Sequence, residues 1–360
     1  MLLAIDTSCD ETALTILDIG KILQGEVLSD KLIRSEIISS QVKLHKPYGG
    51  VVPELASREH LKNLPILFED ALSQAKIKKE DISAVAVTRG PGLNGCLLVG
   101  LCFAKAFATV REVPLLALNH MEGHIFAAEL MGRPIQYPAL ALVVSGGHTM
   151  LVSMQGFRQY EILAKTRDDA AGEAFDKAAN LLGLGYPGGA ALSKLAERGD
   201  SLAYKLPVGL SDHDDAFSFS GLKTAVVRLV DSLKVDADLS EQMVWDLCAS
   251  VQHAIAKALV DKTVRAMQKV NPKDLILVGG VASNQYLRDW LSREAAACGV
   301  NFIVPQRRWC TDNASMIAGL AARVIVENKE KFLDWKPVGN EIGIDTPGDI
   351  SALSRWRIEE

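Results

Sequence analysis

Two histidines four residues apart carry the sharpest chemical signal in the chain. They lie in His120-Met121-Glu122-Gly123-His124, directly after the apolar stretch Val113 to Leu118. On a helix this spacing puts both imidazoles on one face about 5–6 Å apart, close enough to share a metal ion. Glu122 stands two positions from each, roughly 200° round the helix, and faces the other way. The zinc-protease pattern His-Glu-x-x-His places its glutamate beside the first histidine, on the metal side, so this spacing does not predict a protease. A third ligand is expected from Cys310-Thr311-Asp312-Asn313, just before a helix that starts near Asn313. At that position Asp312 is either a helix cap or a ligand. Two His and one Asp with open positions suit Fe2+ or Zn2+.

The other polar residues of interest sit in two turns. Leu2 to Leu17, LLAIDTSCDETALTIL, and Ala139 to Met154, ALALVVSGGHTMLVSM, each lead an apolar strand into a turn of small polar residues and out along a second apolar strand. Such a hairpin turns backbone N–H groups and short side chains toward an anion while its strands stay in a sheet. Two of them predict two facing domains with a nucleotide between them. The echo continues through the glycine-broken strands AVAVTRGPG (Ala84 to Gly92) and LILVGGVAS (Leu275 to Ser283), and then through Val113 to Leu118 and Asn301 to Val304. Repeated strand-turn-helix order predicts a duplicated α/β fold. The expected boundaries are an N-terminal domain over 1–130 with a helical insertion near 41–66, a C-terminal domain over 138–328 with an inserted subdomain near 165–222, and a tail over 329–360.

Length supports two domains, since 360 residues exceed the roughly 250–300 at which single cores stop growing. Apolar runs are interrupted short of the ~20 residues of a membrane span, so no membrane association is expected. Met1 leads straight into the first core strand, which predicts a cytoplasmic protein without a leader. The six cysteines include no Cys-x-x-Cys pair, which argues against a thiolate zinc site or a disulfide framework. A net charge of −5 excludes nucleic-acid binding through a global positive field. Any RNA contact must be local, at Lys43, His45 and Lys46, at Arg58 and Lys62, at Arg307 and Arg308, or at Arg355 and Arg357.

Nine motifs in one order, DTSCDET, HKPYGGVVPELASREH, GPGL, NHMEGH, VSGGHT, DDAAGEAFDKAANLLGLGYPGG, FSFSGLKT, GGVASNQ and CTDNASM, resemble the bacterial tRNA threonylcarbamoyltransferase family, once labelled O-sialoglycoprotein endopeptidase. The resemblance runs from Leu2 to about Asn328. It implies the duplicated actin, hexokinase and Hsp70-like (ASKHA) fold. It also implies transfer of a threonylcarbamoyl group from threonylcarbamoyl-AMP to the exocyclic amine of the adenosine beside the anticodon (position 37) of tRNAs reading ANN codons, with release of AMP. Carried over by motif, His120, His124 and Asp312 bind one divalent metal, Fe2+ foremost with Zn2+ as the alternative. Val143, Val144, Ser145, Gly146 and Gly147 line the phosphate and carbonyl of the acyl-adenylate, Asp176 and Gly189 hold the ribose, and Asn284 the adenine side. Asp10 and Glu11 lie in the first cradle as candidate general bases. The implied partners are tRNA, a paralogous TsaB-like subunit and a TsaE-like ATPase. A sugar or carboxylate kinase of the same fold is the main rival and a metalloprotease a weaker one.

Overall fold

A computed structural model describes residues 1–211, 215–234, 239–335 and 350–359. Of the tail expected over 329–360, residues 336–349 and 360 therefore lie outside the described residues. The chain begins with β1 (Leu2–Asp6), β2 (Glu11–Leu17), α1 (Ile19–Leu23), β3 (Ile33–Ser40), α2 (Val42–His45), α3 (Pro53–Ala75), β4 (Ala84–Gly90), α4 (Asn94–Arg111), β5 (Leu115–Asn119) and α5 (His120–Phe126). It continues through β6 (Ala139–Val144), β7 (Thr149–Gly156), β8 (Gln159–Thr166), α6 (Ala171–Leu181), α7 (Gly189–Ala196), β9 (Ala216–Phe217), α8 (Ser220–Leu233) and α9 (Glu241–Val270). The remaining elements are β10 (Asp274–Val278), α10 (Gln285–Ala297), β11 (Asn301–Ile303), α11 (Ala314–Glu327) and α12 (Lys329–Leu333).

The first sheet has strand order β3-β2-β1-β4-β5 and the second β11-β10-β6-β7-β8-β9. Apart from the two-residue β9, the orders are the same, with β6, β7, β8, β10 and β11 standing where β1, β2, β3, β4 and β5 stand. The duplication read from the two hairpins is thus a duplication of topology. β1 pairs antiparallel with β2 from Leu2↔Leu17 to Asp6↔Ala13 and parallel with β4. In the second sheet β6 pairs antiparallel with β7 from Ala139↔Met154 to Val144↔Thr149 and parallel with β10. β1, β6 and β10 are buried along their whole length, as central strands covered on both faces must be, and the edge strand β5 is buried as well. The edge strand β3, IRSEIISS, alternates and stays half-exposed.

The chain forms two compact units, one of residues 1–135 with the described part of 311–358, the other of residues 136–310. The expected second domain reached residue 328, so 311–328 fall in the other unit. The reason is α11, ASMIAGLAARVIVE, which is buried nearly all round and packs on α5, β1 and β2. A helix apolar on every face needs neighbours on every face. The helical insertion also differs in extent, since α3 runs on to Ala75. Its Phe68 meets Phe103 and Phe107 of α4 edge-on, with ring centroids 5.3 and 5.4 Å apart. By length and composition α4 could cross a membrane; one face of it, with Cys96, Leu97, Leu101 and Ala104, is buried in the first unit. Residues 165–222, where an inserted subdomain is expected, carry α6, α7, β9 and the start of α8 among the described residues.

Candidate active site

The ends of β1 and β5 and the start of α11 bring together a His-His-Asp cluster that could hold a metal. Asn119, the last residue of β5, accepts hydrogen bonds through its side-chain oxygen from the N–H groups of Met121 and Glu122 at 2.8 and 3.3 Å. That cap starts α5 at once and fixes its rotation. His120 and His124 therefore stand side by side, with ring centroids 4.8 Å apart and planes nearly perpendicular at 84°. Gly123 between them lets α11 approach, because a Cβ there would lie 2.8 Å from Cδ1 of Ile317.

Asp312 reaches both rings. At the start of α11 the cap is Asn313, whose Oδ1 accepts from the Met316 N–H at 2.9 Å, and Asp312 is thereby left with its carboxylate turned to the histidines. Its Oδ1 is 3.4 Å from His120 Nε2 and 3.2 Å from His124 Nε2. Donors bonded at about 2.0–2.1 Å to one tetrahedral ion stand about 3.3–3.4 Å apart, which the two Asp312 separations match, and all three donor atoms lie within 4.8 Å of one another. The cap of α11 is thus Asn313 and not Asp312.

Behind His120 lie two residues that sequence reasoning did not single out. Nδ1 of His120 is 3.4 Å from Asp6 Oδ2 and 3.1 Å from Ser8 Oγ. Asp6 is only 1% exposed, and its Oδ1 also accepts from the Ser8 N–H at 3.2 Å. A carboxylate on the far nitrogen fixes the tautomer and orientation of a ligating imidazole. The signal available in the sequence was a charged residue ending an otherwise apolar buried strand. Without a metal, burial depresses the His120 imidazolium, but Asp312 and Asp6 outweigh it and push the group up to about 10. Burial works against the Asp312 carboxylate, and the two imidazoles nevertheless hold it well below the usual range.

Asp10 lies in the β1–β2 turn and Glu11 opens β2, in the same unit. Glu11 accepts from the Ser40 hydroxyl at 3.2 Å. Burial, then the negative charges of Asp312 and Asp10, push its carboxyl up to about 9. Neutralising Asp312 with a cation would remove part of that push. Cys9, the turn's half-buried thiol, is driven far above its ordinary value by burial and by Asp312 and Asp10.

A buried polar chain ties this turn to the insertion. His60 of α3 donates from Nε2 to the Cys9 carbonyl at 2.9 Å, and its Nδ1 is 2.7 Å from Thr12 Oγ1. His45 accepts from the Val52 N–H at 3.2 Å and bonds Gln41 Oε1 at 3.2 Å, while Gln41 Nε2 lies 3.3 Å from His60 Nδ1. Both histidines are fully buried. His45 was read as part of a basic patch; it is instead an interior hydrogen-bonding group, whereas Lys43, Lys46 and Arg58 are exposed.

The second unit gathers the expected substrate-binding residues. Val143 and Val144 end β6 in full burial. Ser145 closes the turn, its N–H donating to the His148 carbonyl at 2.8 Å and its hydroxyl accepting from the His148 N–H at 3.1 Å. Gly146 and Gly147 are exposed, and a Cβ on either would meet nothing within 4 Å. Gly279 takes φ +92° and packs so close that a Cβ would sit 2.4 Å from the Val144 carbonyl, so only glycine fits.

Asp176 and Asn284 bracket α7. Asp176 Oδ1 accepts from the N–H groups of Gly188 and Gly189 at 2.9 and 2.8 Å. Asn284 caps α10 by accepting from the Leu287 N–H at 2.9 Å, and its Nδ2 donates to Ser193 Oγ and Gln252 Oε1 at 2.8 and 2.6 Å. The FSFSG motif is held by Asp168, which accepts from the Ser218 and Ser220 hydroxyls at 2.5 and 2.7 Å. Cys310 is buried in the same unit, with its sulfur 3.2 Å from the Arg288 guanidinium.

The duplicated α/β sheet with hairpin turns is an ASKHA-type fold, and its first half carries a His-His-Asp cluster with the donors a metal site would need. Among solved structures the chain is similar to the activator of 2-hydroxyisocaproyl-CoA dehydratase from Clostridium difficile with bound ADPNP, at TM-score 0.53 and 14% identity, covering 94% of this chain and 99% of that one. It is similar to full-length HypF at TM-score 0.56 and 12% identity, covering 90% and 55%. At such identities the likeness shows the fold alone.

Sequence relatives are more specific. The profile of the TsaD family, tRNA N6-adenosine threonylcarbamoyltransferase, matches residues 32–319. Proteins of that name from Caldicellulosiruptor saccharolyticus and Dehalococcoides mccartyi are 47% identical over 319 residues and 45% over 333, covering 88% and 92% of this chain and 91% and 96% of theirs. The chain belongs to the tRNA N6-adenosine threonylcarbamoyltransferase family.

Proposed function

We propose that this chain transfers a threonylcarbamoyl group from threonylcarbamoyl-AMP to the N6 amine of the adenosine beside the tRNA anticodon. The observation that carries the reading is the convergence of His120, His124 and Asp312 on one point in a chain whose family modifies tRNA. The amine nitrogen forms a bond to the carbamoyl carbon, the carbon–oxygen bond to the phosphate breaks, AMP leaves, and one amine proton passes to a base. A bound Fe2+, or Zn2+ in its place, supplies charge that polarises the acyl carbonyl and holds the threonyl end. His120, His124 and Asp312 hold that ion, with Asp6 and Ser8 orienting His120. Asp10 or Glu11 takes the amine proton.

The remaining roles belong to the second unit. N–H groups at Gly146 and Gly147 steady the oxyanion and phosphate. Val143, Val144 and Ser145 shape that turn, Asp176 and Gly189 hold the ribose, and Asn284 the adenine side. The reaction runs in the cytoplasm with a paralogous TsaB-like subunit and a TsaE-like ATPase. Leu61 and Ile66 of α3 with Leu98 and Val110 of α4 are exposed apolar residues that suit the paralogous subunit. The test is transfer of labelled threonine to tRNA by purified protein, partners and synthetic adenylate. Labelled tRNA from the wild type, lost with Asp312→Ala, supports the reading. Phosphorylation of a small molecule from ATP with no label on tRNA would replace it with kinase chemistry.

A further inference from the structure

The stretch beyond Asn328 matches none of the family motifs, yet Ile350 to Ile358 is built tightly onto the first unit. Ile350 is buried in that unit's core with Ala352 against it. Lys105 Nζ donates to the Ile350 carbonyl at 2.5 Å and Arg89 Nε to the Ser351 carbonyl at 2.9 Å. The Leu353 N–H donates to the Arg89 carbonyl at 2.9 Å, and the Gly92 N–H to the Ser354 carbonyl at 3.4 Å. At Gly90 a Cβ would lie 1.9 Å from the Leu353 carbonyl oxygen. No side chain fits there, so a glycine at Gly90 is a condition of this docking.

The docked segment borders the metal cluster. Gly90 is in register with Asn119, the residue before His120. The Leu93 N–H, one residue beyond Gly92, donates to the Ser8 carbonyl at 2.8 Å, and Ser8 Oγ is 3.1 Å from His120 Nδ1. The same segment carries Trp356, half-buried with the Arg89 guanidinium 5.6 Å from its ring, between the exposed Arg355 and Arg357. An indole flanked by guanidinium groups offers a stacking face for an unpaired base and cations for the phosphates on either side. In a chain of net charge −5, a local feature of this kind is what RNA contact requires.

We propose that Ile350–Ile358 is an RNA-contacting rim, in which Trp356 stacks on an unpaired base of the tRNA substrate and Arg355 and Arg357 bind its backbone. The proposal rests on the transferase reading. It is tested with the full chain and its partners carrying Arg355→Ala with Arg357→Ala, and separately Trp356→Leu, alongside melting temperature as a check on folding. The double variant is expected to raise KM for tRNA about tenfold and to reduce the slope of log affinity against log salt by about 1.4–1.8, two phosphate contacts' worth. Trp356→Leu is expected to raise the same KM without changing the salt slope. KM for threonylcarbamoyl-AMP and the metal content stay as in the wild type. Unchanged tRNA KM and salt slope in folded variants that still transfer would overturn the rim while leaving the transferase reading standing, and so would loss of a protein partner in place of RNA affinity. Failure of the transferase reading shows differently, as a wild type that puts no threonylcarbamoyl group on tRNA.

Discussion

Asp6→Asn keeps the shape of a buried side chain and the oxygen that accepts the Ser8 N–H, but removes a negative charge from behind His120. Outer carboxylates on ligating histidines change metal affinity by about 10–100-fold, or about 1.4–2.7 kcal/mol. The geometry selects the lower end. Asp6 Oδ2 is 3.4 Å from Nδ1, and Ser8 Oγ shares that nitrogen at 3.1 Å, so a second acceptor remains after the substitution. The expected loss is about tenfold in affinity for Zn2+ or Fe2+. Competition against a chromophoric chelator at neutral pH measures it, with thermal melting to verify the fold. Ser8→Ala should lose less, and the two together more than either alone, because they orient one ring. An affinity within twofold of wild type in folded Asp6→Asn protein would refute the positioning role, and a loss beyond a thousandfold would make Asp6 a direct ligand.

Burial lowers the His60 imidazolium although the Cys9 carbonyl opposes it, so the folded state binds fewer protons than the unfolded one below about pH 6.5. Stability is accordingly complete above that pH and lost as pH falls toward the lowered value; His60→Gln should flatten the drop in melting temperature between pH 7.5 and 5, and an unchanged slope would discount His60. Asp176→Ala releases the Gly188 and Gly189 N–H groups from their acceptor, and steady-state kinetics should show KM for the adenylate raised about tenfold with kcat within threefold. Gly188→Ala places a Cβ 2.2 Å from Ala179 Cβ and should destabilise the protein by about 1–3 kcal/mol in chemical denaturation. Reversing charge at Lys43, Lys46 and Arg58 together should weaken tRNA binding in filter or gel assays while sparing adenylate binding; equal tRNA affinity would move the RNA surface elsewhere.

The features legible in the sequence are those encoded within a few residues. The His120–His124 spacing, the two small-residue turns and the apolar runs of β1, β4, β6 and β10 each follow from a local period or a turn's backbone needs, and their repetition made the duplicated topology readable. The place of Asp312 in the cluster was legible only in part, because a polar residue before a helix serves equally as a cap. The tertiary structure gave that cap to Asn313 and brought Asp312 to histidines nearly two hundred positions earlier in the chain. Long-range packing likewise decided that α11 belongs with the first sheet, that Asp6 and Ser8 stand behind His120, and that His60 holds the Cys9 carbonyl. It also laid the C-terminal segment over Gly90. In each case the partner's distance along the chain exceeds anything a local pattern records, and burial with hydrogen-bond satisfaction, which depend on the whole chain's path, selects the pair.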